Sequence, residues 1–392
     1  MDYTLSSGNY NLHIDDMYNN RLDLEGFSYM MKNPSYCYKF YWLEALVKLI
    51  AEGITETTFN DVIDEMICNA WYSVREFHVH LSGVQSDGQV RDGLERAVLK
   101  LSDLTGLLAN ASRVEIKNAI KEHEMELKAA KEQLTNMVPY RALAGFFLKD
   151  DNDVEWGSIR RLTSYIERVN NEIVLLPYTV GESSKLKKEI FFQPAWIEMI
   201  KDNTVSILGW IQYEKVKWLQ NNNPEVPGLV YKLAPMDEKM RKLGKVRELW
   251  GKVLDVAEVR DVFTGKAIVP KKYDVDHFIP WSFVMNDELW NLMPMDSSLN
   301  SSKSNRLPRW DPFFKRFADN QFLLYRFIHE KDEMHKMFEA CYKDNLHSIW
   351  AGQELYRKGN SHEAFCGILQ KNMQPLYDSA RRQGYEIWDK KI

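Results

Sequence analysis

Cysteine is scarce: the 392 residues contain four, Cys37, Cys68, Cys341 and Cys366, and no two form a C-x-x-C pair. This spacing argues against a disulfide framework and leaves a cysteine zinc knuckle without ligands. A reducing, cytoplasmic setting is therefore expected. Long apolar runs are missing too. No stretch reaches about 18 consecutive apolar residues, so no membrane-spanning helix is expected. Residues 1–10 have neither a basic nor an apolar segment of the kind a secretory signal requires, and none is expected there. Nor is there a large excess of one charge. Lys and Arg number 51 against 56 Asp and Glu, a net charge of −5. That excludes a histone-like polybasic protein, so any nucleic-acid contact must come from a local patch. What remains is a chain 45% hydrophobic and 12% aromatic. It can build large packed cores and has room for two or three domains.

Helical periodicity dominates. Residues 1–32 are polar and read as irregular. Leu43, Leu46, Val47 and Ile50 then fall at helical spacing, and Gly53 ends that helix. Thr57 or Thr58 can cap the next, which carries Val62, Ile63, Met66 and Ile67 on one stripe. Cys68 lies beside this stripe and reads as a buried structural thiol. Further helices are expected over 97–109 and, capped by Ser112, over 113–137. A short strand is expected within 172–180. Asn221-Asn222-Asn223-Pro224 and Pro227-Gly228 mark a turn-rich break, where the main boundary is placed. From Pro312 onward the pattern is again helical, with Phe313, Phe314, Phe317, Phe322 and Phe327 in one apolar block. His329, His335, His347 and His362 form no H-x-x-x-H pair and read as surface or core histidines rather than ligands.

The chemistry lies between Asp261 and Arg309. Tyr273-Asp274-Val275-Asp276-His277 alternates like a strand. A polar loop follows, then a short apolar strand over 289–293, then a helix capped by Asp296 or Ser297. Asn300 and Lys303 lie three apart in that helix and share one face. Asp276 offers a carboxylate and Asn300 an amide oxygen, donors that suit a hard divalent cation. An imidazole such as that of His277 can take a proton from water at neutral pH. Successive strand side chains point opposite ways, so Asp276 and His277 need a bend to meet at one site.

This stretch resembles the HNH endonuclease family, whose core is the ββα-metal fold, with spacing close to the HNH module of the RNA-guided CRISPR nucleases. The residues carrying the resemblance are Asp274 to Phe283, Asn291, Asn300 and Lys303. It implies that Asp276 and Asn300 bind Mg²⁺, with Mn²⁺ the alternative. It implies that His277 activates water for in-line attack on phosphorus, that Asn291 holds the loop and orients His277, and that Lys303 meets phosphate. The last motif position is Asn where other members have His. The upstream turn Asp261-Val262-Phe263-Thr264-Gly265-Lys266 lacks the cysteines that bind zinc in some members, so no structural zinc is expected.

Charge agrees. Residues 235–316 hold 15 Lys and Arg against 12 Asp and Glu, a net +3, which leaves −8 for the rest of the chain. Lys239, Arg241, Lys242, Lys245 and Arg247 cluster before the motif, and Arg306, Arg309, Lys315 and Arg316 follow it; such groups can neutralise phosphates. The expectation is a mostly α protein with a small α+β core, the ββα-metal motif embedded between helical regions. Residues 1–230 are read as a helical sensing or docking region, 231–311 as the nuclease core and 312–392 as a helical C-terminal region. The expected activity is metal-dependent hydrolysis of DNA, double-stranded, by a gated nuclease of bacterial or phage defence acting with a protein partner and without a membrane. The alternatives are a non-catalytic DNA-binding or assembly subunit that kept the fold, and an RNase effector.

Overall fold

The computed structural model describes residues 3–7, 10–14, 16–31, 34, 36–83, 90, 92–136, 138–233 and 241–389. Lys239 of the basic cluster and Met137 lie outside them. The chain forms two compact units, residues 1–224 with 232–234 and residues 225–231 with 235–392. It is mostly α-helical, with small sheets of two or three strands.

In the first unit, residues expected to be irregular form a hairpin, β1 (Tyr3–Ser7) and β2 (Tyr10–Ile14), followed by a turn of helix at Leu24–Tyr29. Leu22, Leu24, Phe27, Met30 and Met31 are buried, so isolated apolar residues in a polar stretch supply the anchoring. Helix α1 (Tyr38–Ala51) is apolar on nearly every side and buried along its length. A helix of that kind belongs in the middle of a bundle. Helix α2 (Phe59–Phe77) starts at a capping box. Thr58 accepts from the Asp61 backbone N–H, and the Asp61 carboxylate accepts from that of Thr58. Its expected stripe, Val62, Ile63, Met66 and Ile67, is fully buried. Cys68 is only half-buried, and burial still pushes its thiol up to about 12.

Helix α3 (Gly93–Thr105) packs on α2. The stretch expected as one helix over 113–137 is two, α4 (Arg113–Glu122) and α5 (Glu124–Thr135), broken at His123. Strands β3 (Glu56–Thr58), β4 (Tyr178–Val180) and β5 (Glu189–Phe192) make an antiparallel sheet with β5 in the centre. Helix α6 (Thr204–Asn222) closes the bundle against α1. Buried between them, Glu44 accepts from Lys215 Nζ at 2.7 Å, Lys48 Nζ at 2.9 Å and Gln212 Nε2 at 3.0 Å.

The first α-helix described in the second unit is α7 (Gly244–Val256). Strands β6 (Asp274–His277) and β7 (Leu292–Met295) pair antiparallel, Asp276 opposite Met293 and His277 opposite Leu292. Helix α8 (Ser297–Lys303) follows, capped by Asp296, whose Oδ1 accepts from the Ser298 N–H at 2.9 Å. The order is strand, strand, helix. The apolar strand expected over 289–293 starts later. Leu289–Asn291 is a 3₁₀ turn, because the Asn291 side chain takes part in the strand pairing in place of its neighbours.

After strand β8 (Leu307–Pro308) come α9 (Trp310–Glu330), α10 (Asp332–Asn345) and α11 (His362–Arg382); β9 (Ile387–Trp388) then pairs parallel with β8. These helices share one core with the hairpin. Phe278, just after β6, packs on Phe317 of α9 at 4.6 Å between ring centroids. Among the described residues, no helix is long and apolar enough to cross a membrane.

Candidate active site

Strand alternation divides the expected residues between two faces of β6. Val275 and His277 are buried, while Asp274 and Asp276 are half-buried. The bend that would bring Asp276 and His277 onto one face is absent from the strand itself.

On the half-buried face, α8 lies against β6. Asn300 and Lys303, three apart on the helix, reach Asp274 and Asp276, two apart on the strand. Lys303 Nζ donates to Asp276 Oδ2 at 2.9 Å and to the His277 carbonyl at 2.8 Å. Lys303 is fully buried, so its ammonium faces the strand and not solvent. Asn300 Nδ2 donates to Asp274 Oδ2 at 3.3 Å, and Arg247 lies 3.1 Å from Asp274 Oδ1. The second oxygen of Asp276 and the amide oxygen of Asn300 carry no hydrogen bond among the described residues. Oxygen donors of this kind fit a hard divalent cation that keeps several waters.

On the buried face, His277 Nε2 lies 3.1 Å from the Asn286 carbonyl and 3.1 Å from Asp287 Oδ1. Both can only accept, so Nε2 carries the proton. Arg241 Nη2 lies 3.3 Å from Nδ1, and a guanidinium only donates. Nδ1 is therefore the unprotonated nitrogen, and its lone pair accepts from Arg241. Asp287 is buried, which works to raise its carboxyl. The His277 contact, the Lys242 backbone N–H at 2.6 Å and the Arg241 charge outweigh that and hold it below the ordinary value. Asn345 steadies this loop, its Nδ2 donating to the carbonyls of Asp287 at 2.8 Å and Lys242 at 2.9 Å.

Among the described residues, no hydrogen bond joins the Asn291 side chain to His277. Its Oδ1 accepts from the Ile279 N–H and its Nδ2 donates to the Ile279 carbonyl, both at 2.8 Å. It fixes the chain two residues beyond His277. In the upstream turn, Asp261 is buried. Its Oδ1 accepts from the backbone N–H groups of Phe263 and Thr264 at 3.0 and 2.8 Å, and its Oδ2 from that of Asp296, the cap of α8, at 3.3 Å. Gly265 completes the turn at φ +71°.

Residues 261–309 match the family model described as HNH endonuclease. The chain carries an HNH endonuclease module. No curated protein and no solved structure matches the chain. The matched stretch runs from the Asp261 turn through β6, β7 and α8 to the residue before α9. Motif spacing brings out Asp276, His277, Asn291, Asn300 and Lys303. It gives no role to Asp287 or Asp274, and takes Arg241 only as one basic residue among several. Asp287 sits in a polar loop whose spacing carries no signal, and its role appears only once the loop folds back over His277.

Proposed function

We propose that this chain hydrolyses phosphodiester bonds in double-stranded DNA, with His277 as the general base acting through Nδ1. The observation that carries this reading is the fixed tautomer. Nε2–H is held by the Asn286 carbonyl, which makes Nδ1 the nitrogen able to take a proton from water once Arg241 leaves it. As His277 gains that proton it becomes an imidazolium, and the Asp287 carboxylate beside Nε2 stabilises the new charge. Arg241, 41% exposed at its side chain, donates toward Nδ1 and would have to turn outward for the attacking water to enter.

Asp276 and Asn300 would hold Mg²⁺, or Mn²⁺, through the two oxygens that carry no hydrogen bond, on the strand face opposite His277, so ion and base would meet on one phosphate only with a bend at the end of β6. Such an ion would supply charge neutralisation for phosphodiester cleavage. Lys303 is a positioning residue that sets the Asp276 carboxylate and the His277 backbone. Asn291 positions the strand exit. Arg241 and Arg247, exposed beside β6, supply the cations that meet phosphate. The products are 5′-phosphate and 3′-hydroxyl ends.

The domain reading is part of the proposal: 1–230 senses or docks a protein partner, 231–311 cuts, and 312–392 supports the cutting core. A nuclease with no base-reading motif must be gated, which favours a cytoplasmic defence role. Nicking of supercoiled plasmid by the full chain, with Mg²⁺ and with EDTA, tests the activity. Cutting that persists in EDTA contradicts it. Cutting of structured RNA but not plasmid makes the chain an RNase instead.

A further inference from the structure

Outside the hairpin, α9 and α11 bring three different donor types together. His362 and Cys366 are four apart on α11 and stand one above the other on one face. Asp319 comes from α9. His362 Nε2 lies 2.7 Å from Asp319 Oδ1 and 3.6 Å from Cys366 Sγ, and all three donor atoms lie within 4.8 Å of one another. A tetrahedral ion with bonds of ~2.0–2.3 Å sets its donors about 3.3–3.8 Å apart, so small side-chain shifts would close the set.

The imidazole is aimed by packing as well as by its hydrogen bond. Phe322, three residues after Asp319 on the same helix, meets the His362 ring edge to face at 4.9 Å. The same nitrogen faces both other donors. An Asp–His ion pair alone accounts for two of the three groups but not for a thiol on that nitrogen. Cys366 is half-buried, while Asp319 and His362 are exposed, which gives an ion from solvent a way in.

We propose that Asp319, His362 and Cys366 bind a borderline-soft divalent cation of the Zn²⁺ class, with the fourth position open to water. Mixed N, S and O donors select such an ion over Mg²⁺. Binding displaces the thiol proton, which leaves to solvent, and the thiolate takes its place on the metal. The ion would clamp α9 to α11. Zinc-type chemistry is thus assigned to the C-terminal helices, not to the turn at Asp261. An H-x-x-x-H search misses this set because the residue four on from His362 is a cysteine and the third ligand comes from another helix.

The test is a titration of the untagged full chain with Co²⁺. One equivalent should produce a thiolate-to-cobalt absorption in the near ultraviolet, and Zn²⁺ should abolish it. Cys366→Ser should remove the band. His362→Ala and Asp319→Ala should each weaken Zn²⁺ binding by about tenfold or more. Cys68→Ser, at the other half-buried thiol, should leave the band unchanged. Zn²⁺ should raise the thermal midpoint of the wild type and not of Cys366→Ser. A band that survives in Cys366→Ser, or no thiolate band with excess Co²⁺, overturns the proposal. None of these readouts depends on nuclease activity.

Discussion

At the scale of single residues, the face of β6 opposite Asp276 and Asn300 carries the sharper chemistry. His277 is gripped by groups that decide which nitrogen bears the proton. Asp287 Oδ1 is buried with no hydrogen bond of ideal geometry, yet lies 3.1 Å from Nε2. A buried carboxylate oxygen left in that state is costly. Its placement is accounted for if its partner is the imidazolium that forms during reaction. Asp287→Asn keeps an acceptor for the Lys242 N–H but removes the negative charge. It should lower kcat by up to ~10⁴-fold, the loss that the same change causes behind the histidine of a Ser-His-Asp triad. KM and the circular dichroism spectrum should stay unchanged. A variant with wild-type kcat would show that Asp287 only holds its loop.

At the scale of elements, two buried polar arrangements make distinct predictions. Asn291 stands in for a missing strand residue by pairing with both backbone groups of Ile279. Asn291→Ala leaves those two buried groups without partners, at ~1–3 kcal/mol each. Denaturant titration should show a loss of that size together with reduced nicking. An unchanged midpoint would mean that water or a neighbour replaces the amide.

The second arrangement joins α1 to α6. Burial alone would raise the Glu44 carboxyl, but Lys215 and Lys48 hold it below its ordinary value. Removing one partner of a buried pair typically costs ~3–5 kcal/mol, so Lys215→Met should destabilise by about that much. Because the folded value is lowered, this stabilisation is complete above the unfolded carboxyl pKa of ~4.3. It disappears as pH falls through the folded value. Below about pH 4 the wild type should therefore lose stability more steeply than Glu44→Gln. Parallel pH profiles would show that Glu44 contributes no linkage.

The sequence disclosed these elements unevenly. Asn300 and Lys303 fall on one helix face by spacing alone, and both do reach β6. The stripe of α2 and its Thr58 cap follow from periodicity and capping chemistry. The start of β7 was not legible, because an asparagine side chain replaces a backbone partner and spacing cannot reveal that. Nor was the hairpin at residues 3–14, whose few apolar residues have no period. Lys303 is legible as a site residue, but its partner is not. Only the folded chain shows its ammonium against the Asp276 carboxylate.

At the scale of the whole molecule, two compact units each have their own core, and the HNH module belongs to the second. The helices after it are part of the same core, so the module and residues 312–389 should unfold together. The central claim, that His277 drives metal-dependent phosphodiester cleavage, is tested most directly by plasmid nicking with the full chain and its His277→Ala variant, each with Mg²⁺ and with EDTA. The wild type should nick only with Mg²⁺. The variant, shown folded and still bound to DNA, should be slower by ~10²–10⁴-fold, the usual contribution of a general base. Equal rates for the two proteins, or wild-type nicking undiminished by EDTA, would contradict the claim.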